Sequence, residues 1–578
     1  MTRKTLLAAA TAAASIAVFP AAANAATVTV LAPNITVAGD GTGEVITIAD
    51  AGGFITVDGA PTTAPADNTF DLTVNAGGGN DTVVVNTALL RTTTLNGEAG
   101  NDTLTGSADN DIINGGDGLD TLNGGAGNDR ISGNNDNDTM NGDAGNDVMV
   151  WNPGDDDDVM NGGAGGGDDA ELNGGNGPET FSATPLAAGR VKFERLTPAP
   201  FNLDVSPAND TERLVLNGNG GDDTMTSDPA VTHAMLLNGG TGLDALGGGG
   251  GADFVNGGDD NDTLTGGPGI DRLVGDRGGD SMDGGTEDDT LVWNNGDGSD
   301  VMDGQAGLDK VEVNGASGAG DAFEIAANGV RAKFDRTNLV PFTLDIGTAE
   351  ALDVRGLGGD DTFLARAGTP LAVVADGGAG NDTLTGEAEP DTFLGGAGND
   401  ILTGGAGPDL LDGQDGDDRL LARDSAGDLV RGGIGVNFAE VDRTDVVADV
   451  ETIDAPSAGS TATPVDVRSR NAKLTIKNRR ASTKISLRCP AGTGGCKGRL
   501  TLLTAKSFTI RGTKVRLVLG SARIDLSAGQ TKKVTVRLPK GVTKLAKNGK
   551  LALLAQTASR DAAGNLAQDS ARVQLNVR

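Results

Sequence analysis

The 578-residue chain has no tyrosine, a single histidine, two cysteines and only 14 phenylalanines and two tryptophans. Without tyrosine, tyrosine-dependent chemistry is excluded. One histidine, His233, excludes any two-histidine zinc centre and leaves one position for a Ser-His-Asp arrangement. No G-x-S-x-G elbow occurs, and no nucleophile of the expected kind neighbours His233 in AVTHAML. Beyond the N-terminal segment no run reaches the ~18 apolar residues that a membrane span needs. Paired carboxylates occur throughout the chain, so they single out no acid–base pair.

What the chain has in excess is glycine, 92 residues, together with a net charge of −36. Glycine at this level without a three-residue period points to a turn-dense repeat protein rather than to collagen or an ordinary enzyme. The charge is bipolar: residues 465–578 hold 25 Lys and Arg against 4 Asp and Glu, which leaves 20 basic and 77 acidic side chains in residues 1–464. An acidic field of that size is self-repelling unless counterions enter it. The change of sign falls in APSAGSTATP, residues 455–464, a linker by composition. At the other end, Arg3 and Lys4 precede an apolar stretch from Leu6 to Phe19 and the small-residue triplet Ala23, Asn24, Ala25. This pattern predicts a signal peptide over residues 1–25 and an exported, extracellular product without a membrane span.

Six uninterrupted nonapeptides run from Gly97: GEAGNDTLT, GSADNDIIN, GGDGLDTLN, GGAGNDRIS, GNNDNDTMN and GDAGNDVMV. Their sixth position is Asp102, Asp111, Asp120, Asp129, Asp138 and Asp147, and the eighth is always apolar (Leu104, Ile113, Leu122, Ile131, Met140, Met149). A second block from Gly239 places Asp244, Asp253, Asp262, Asp271, Asp280 and Asp289 in the same slot, and a third from Gly377 places Asp382, Asp391, Asp400, Asp409 and Asp418 there. Glycines near the front permit a tight turn, and the last three residues make a short strand whose eighth side chain faces inward. Two nonapeptides then close one coil of 18 residues, and stacking brings each Asp beside the turn one coil along, where carboxylate and carbonyl oxygens form a cage suited to a hard cation. Many oxygen donors favour Ca2+ over Mg2+, and zinc lacks ligands. If a cage takes turns n and n+2, the blocks hold about eleven ions. Glu287 and Glu389, in place of glycine at position four, suit positive φ least.

The blocks resemble the RTX, or hemolysin-type, calcium-binding repeats, whose nonapeptide is G-G-x-G-x-D-x-U-x with U a large apolar residue. The resemblance covers residues 97–150, 239–292 and 377–421. It implies a chain that orders when calcium screens its carboxylates, which suits folding after export. Many exported enzymes and toxins of this type lack an N-terminal signal peptide, a pattern from which this chain departs.

A longer period encloses the short one. VWNPGDDDDVMNGG from Val150 matches VWNNGDGSDVMDGQ from Val292, and NGNGGDDTM matches RGLGGDDTF. The spacers at 151–238 and 293–376 read as longer coils of the same parallel solenoid, the segment 26–96 as its opening β segment, and 422–454 as its cap. Trp151 and Trp293 could stack on a sugar, but their place where coil length changes favours packing. Residues 465–578 alternate in about seven short strands, and RDAAGN resembles bacterial immunoglobulin-like domains. Cys489 and Cys496 enclose CPAGTGGC and would close a disulfide in an exported protein.

The predicted fold is therefore all-β: a parallel β-roll or β-solenoid followed by a small basic β-sandwich. The expected function is a secreted calcium-binding structural or adhesive protein, not an enzyme. Its basic end carries a charge suited to anionic cell-wall polymers or polysaccharide, to the chain's own acidic solenoid, or simply to a solvated face. Nucleic acid is disfavoured because Phe508 is the one aromatic residue there. The alternative is a calcium-dependent polysaccharide lyase or hydrolase on an RTX scaffold.

Overall fold

A computed structural model describes residues 26–455 apart from 32–33, 40, 52–53, 59, 66–70, 87–91, 207–212, 370 and 443, and the strands between 466 and 576. The proposed signal peptide, nearly all of the proposed linker and Cys489, with its expected disulfide, lie outside the described residues. The chain divides into two compact units, Met1–Gly269 and Ile270–Arg578.

Within the first unit the nonapeptides build a parallel β-solenoid, as their period requires. Strand Ile112–Asp117 pairs in parallel with Thr93–Ala99 on one side and Arg130–Asn135 on the other. Across the coil, Thr121–Ala126 pairs with Thr103–Thr105 and Thr139–Ala144. Strand partners are thus 18 residues apart, Ile113 with Ile131 and Leu122 with Met140. The eighth-position side chains stack in two buried columns, Ile113–Ile131–Met149 and Leu104–Leu122–Met140. The period-two alternation of a strand buries them and leaves their neighbours at the surface. Position nine adds a polar ladder: Asn114 Nδ2 donates to Asn96 Oδ1 (2.8 Å), and Asn141 Nδ2 to Asn123 Oδ1 (3.0 Å).

The spacers keep parallel pairing but are more than long coils. Thr180–Pro185, Val191–Thr197 and Phe201–Val205 form an antiparallel meander whose outer strands rejoin the solenoid in parallel, against Thr224–Ser227 and Asp158–Gly163. In the second unit Ala322–Asn328, Arg331–Arg336 and Phe342–Gly347 repeat it. Both hairpins turn where the backbone enters positive φ, at Ala188–Gly189 (+61° and +79°) and at Gly329 (+66°). Asn328-Gly329 between two alternating runs is the turn signal that separates this arrangement from a plain coil.

Trp151 and Trp293 are packing residues, both fully buried. Each stacks on a phenylalanine of its meander with ring centroids 3.7 Å apart, Trp151 on Phe201 and Trp293 on Phe342. Each donates its indole N–H to a backbone carbonyl, of Asp156 (3.2 Å) and Gly298 (2.9 Å).

The second unit ends in a separate, mainly antiparallel arrangement, in which Asn471–Lys477 also pairs in parallel with Leu566–Asn576. Arg480–Arg488 pairs with Asn471–Lys477 and Thr531–Leu538, and Cys496–Thr504 pairs with Val518–Leu526 and Lys550–Arg560. Ile485, Leu487, Leu500, Leu502, Ile524, Val536, Leu553 and Leu575 form its buried core. Arg499 Nη1 reaches the carbonyl of Ser425 in the last coils (2.6 Å). No helix among the described residues is long and apolar enough to cross a membrane.

Candidate metal sites on the turn edges

All seventeen repeat aspartates are buried and fall into ladders along the turns. In each ladder the Oδ1 of one Asp accepts the backbone N–H of the residue one coil earlier. Asp102 N–H donates to Asp120, Asp120 to Asp138, Asp111 to Asp129 (each 2.7 Å) and Asp129 to Asp147 (2.8 Å). Asp244 donates to Asp262 (2.8 Å), Asp271 to Asp289 (2.9 Å), Asp382 to Asp400 (2.8 Å) and Asp400 to Asp418 (3.0 Å). Asp280 occupies the same slot and donates to Asp300 (2.9 Å).

The second carboxylate oxygen tells the sites apart. Oδ2 of Asp102, Asp120, Asp129, Asp138, Asp147, Asp244, Asp289, Asp382, Asp400, Asp409 and Asp418 is buried and accepts no hydrogen bond. It faces the first glycine of its own repeat and, in all of these turns but those of Asp138 and Asp409, the carbonyl of the first glycine one coil later. A Cβ placed on Gly97 would collide with both Asp102 Oδ2 and Gly115 O, and one on Gly124 with Asp129 Oδ2 and Gly142 O. Two electron-rich oxygens thus converge on a space that only glycine leaves open. Burial, outweighing the backbone N–H that Oδ1 accepts, raises these carboxyls, to about 6 for Asp102 and Asp382, about 7 for Asp129, Asp138 and Asp400, and about 8 for Asp409.

Asp111, Asp253 and Asp391 differ, and each belongs to the second repeat of its block. Their Oδ2 accepts an N–H from position two of the same turn: Ser107 (2.5 Å), Gly249 (2.7 Å) and Glu387 (3.4 Å). The cause is backbone conformation. Position two has positive φ in the neighbouring repeats, as at Glu98 (+74°), Gly116 (+123°), Gly258 (+114°) and Gly396 (+109°), but not at these three residues. Of the two glutamates at position four, Glu287 adopts +86° and Glu389 does not.

Two further turns carry their own cation. GGNGPETFS places Glu179 in the sixth position, where its Oε1 accepts from Arg195 Nη1 (2.8 Å). Asp321 in the second unit meets Arg336 Nη1 (3.3 Å). Both arginines are buried, with guanidinium carbons 4.9 Å and 5.1 Å from the Trp151 and Trp293 ring centres.

Sequence reasoning stopped at the block ends, but the ladders do not. Asp158, Asp168, Asp223, Asp300, Asp309, Asp361, Asp428 and Asp445 continue them. The available signal was the isolated turn, as in GQAGLDKVE at 304–312. His233 is buried, with Nε2 2.8 Å from the Ser206 carbonyl, and burial lowers its pKa.

Among the described residues no three acidic, cysteine or histidine side chains converge. Each open turn offers instead one carboxylate oxygen with backbone carbonyls, an all-oxygen set that fits calcium and not zinc. The fold and these turns define a calcium-binding repeat solenoid. The family model of the RTX calcium-binding nonapeptide repeat, four copies long, matches residues 91–122, 115–149, 236–264, 256–291, 376–411 and 394–425. The chain therefore carries RTX calcium-binding repeats in three stretches, and these repeats bind calcium ions. No curated protein matches the chain.

Proposed function

We propose that this is a secreted structural or adhesive protein whose solenoid orders and stiffens as its aspartate ladders take up calcium. The ligands are the repeat aspartates with an open Oδ2, from Asp102 to Asp418, together with carbonyls of the glycine turns. The observation that carries the reading is the row of buried carboxylate oxygens with no hydrogen-bond donor. Unpaired buried charge is strongly unfavourable, so the apo ladder opposes its own folding and the cation-bound ladder does not. The basic segment 465–578 would then hold the protein to anionic surface polymers, through a salt-sensitive attraction.

The test is far-UV circular dichroism of the full chain after chelation, titrated with calcium and, separately, with magnesium. The expected result is a calcium-specific gain of β signal at the ~0.1–1 mM concentrations typical of extracellular sites. No gain, or an equal response to magnesium, would overturn the proposal.

A further inference from the structure

The turn that precedes the second block and the turn that precedes the third lie outside the stretches matched by the repeat model. Yet both have its chemistry. GNGGDDTMT at 218–226 and GLGGDDTFL at 356–364 carry glycine first, aspartate sixth (Asp223, Asp361) and an apolar residue eighth (Met225, Phe363). Each leads into its block by a coil of 21 rather than 18 residues, since Asp223 N–H donates to Asp244 Oδ1 (2.8 Å) and Asp361 N–H to Asp382 Oδ1 (2.7 Å). The three extra residues break the sequence period and leave the turn itself intact.

The backbone of these turns is that of the open repeats. Position two has positive φ at Asn219 (+68°) and Leu357 (+72°), and position four at Gly221 and Gly359 (both +116°). No N–H therefore turns inward to satisfy the carboxylate, as it does for Asp253 and Asp391. Asp223 and Asp361 are 1% and 2% exposed, and the Oδ2 of each accepts no hydrogen bond. A Cβ on Gly218 would collide with Asp223 Oδ2 and Gly239 O, and one on Gly356 with Asp361 Oδ2 and Gly377 O.

We infer that Asp223 with the Gly239 carbonyl, and Asp361 with the Gly377 carbonyl, hold two further calcium ions, so that each of these blocks begins one turn before its repeats do. The second repeats, at Asp253 and Asp391, hold none, because their own amides fill the place of the cation. This inference rests on the calcium-dependent ladder proposed above.

The test compares D223N/D361N with D253N/D391N in the full chain, counting bound calcium by elemental analysis after gel filtration in buffered calcium. An asparagine keeps an oxygen for the Glu179 or Asp321 N–H and turns its NH2 toward the glycine carbonyl, which preserves the turn while closing it to a cation. D223N/D361N is expected to lose about two ions per chain relative to the unsubstituted protein, and D253N/D391N none. Far-UV circular dichroism in saturating calcium gives the control for folding: D223N/D361N is expected to keep the β signal of the unsubstituted chain, because the remaining ladders still take up calcium. Full calcium content in D223N/D361N would overturn the inference and leave the calcium ladder standing. So would equal losses in both variants, or a loss of β signal by D223N/D361N in saturating calcium. An unsubstituted chain that holds no calcium would overturn both.

Discussion

Replacing Arg195 by methionine tests the idea that the spacer turns supply their own cation. Arg195 and Glu179 are 8% and 3% exposed at their side chains, and their charged atoms are 2.8 Å apart. The guanidinium also donates to the Ala199 carbonyl (2.9 Å) and lies over the stacked Trp151–Phe201 pair. Methionine fills similar volume and removes the charge, leaving a buried carboxylate whose other oxygen is held by Gly175 N–H (2.6 Å). Removing one member of a buried pair is destabilising by about 3–5 kcal/mol, because the remaining ion is uncompensated. The double variant R195M/E179Q removes both charges, and most of the loss is expected to return. Guanidinium unfolding in saturating calcium, followed by Trp151 emission in a W293F background, measures the effect where it arises. A loss below about 1 kcal/mol, or a double variant no more stable than R195M, would refute the claim that Arg195 neutralises this turn.

Acid should substitute for calcium. Burial raises Asp129, Asp138, Asp361 and Asp400 from 3.8 to about 7, so the folded chain binds protons more tightly than the unfolded one; the calcium-free fold is most stable below pH ~4 and loses that stability as pH rises through 7. Circular dichroism in chelator from pH 4 to 8 checks this, and a β signal that grows with pH would contradict it. Gly124→Ala puts a Cβ into Asp129 Oδ2 and Gly142 O, with an expected loss of about 1–3 kcal/mol in thermal or denaturant melts, whereas Gly177→Ala, with nothing within 4 Å, should be neutral. Retention of the protein on anionic polymer should fall steeply between 50 and 500 mM salt, on the order of the Debye screening change; salt-independent retention would exclude a charge-based hold.

Much of the fold was legible because the nonapeptide couples two signals that reinforce each other. Glycine fixes the turn, and the eighth residue fixes which side faces inward, so Leu104, Ile113 and Leu122 had one place to go. The sixth-position aspartates were legible as a row but not as individuals. Whether Asp111 differs from Asp120 depends on the φ of Ser107 against that of Gly116, and nothing in GSADNDIIN announces it, since glycine at position 249 takes the same closed turn. The meanders were obscured by alternation: a parallel coil and an antiparallel hairpin share the period-two pattern, and Asn328-Gly329 was the one local clue. Arg195 and Arg336 were hidden by distance, because each meets its carboxylate only after a hairpin has folded back.

The coils differ in length, yet strand register survives. Asp169 pairs with Arg213 across 44 residues as faithfully as Ile113 pairs with Ile131 across 18. Extra residues are absorbed into hairpins that leave the stack and return to it, with Val330 at one tip almost wholly exposed. The architecture therefore separates what must repeat from what is free to vary. A foreign peptide spliced between Gly329 and Val330 would be carried outward by the hairpin without shifting the frame of the repeats, which makes the meander tips the natural places for new binding specificities to be added to this scaffold.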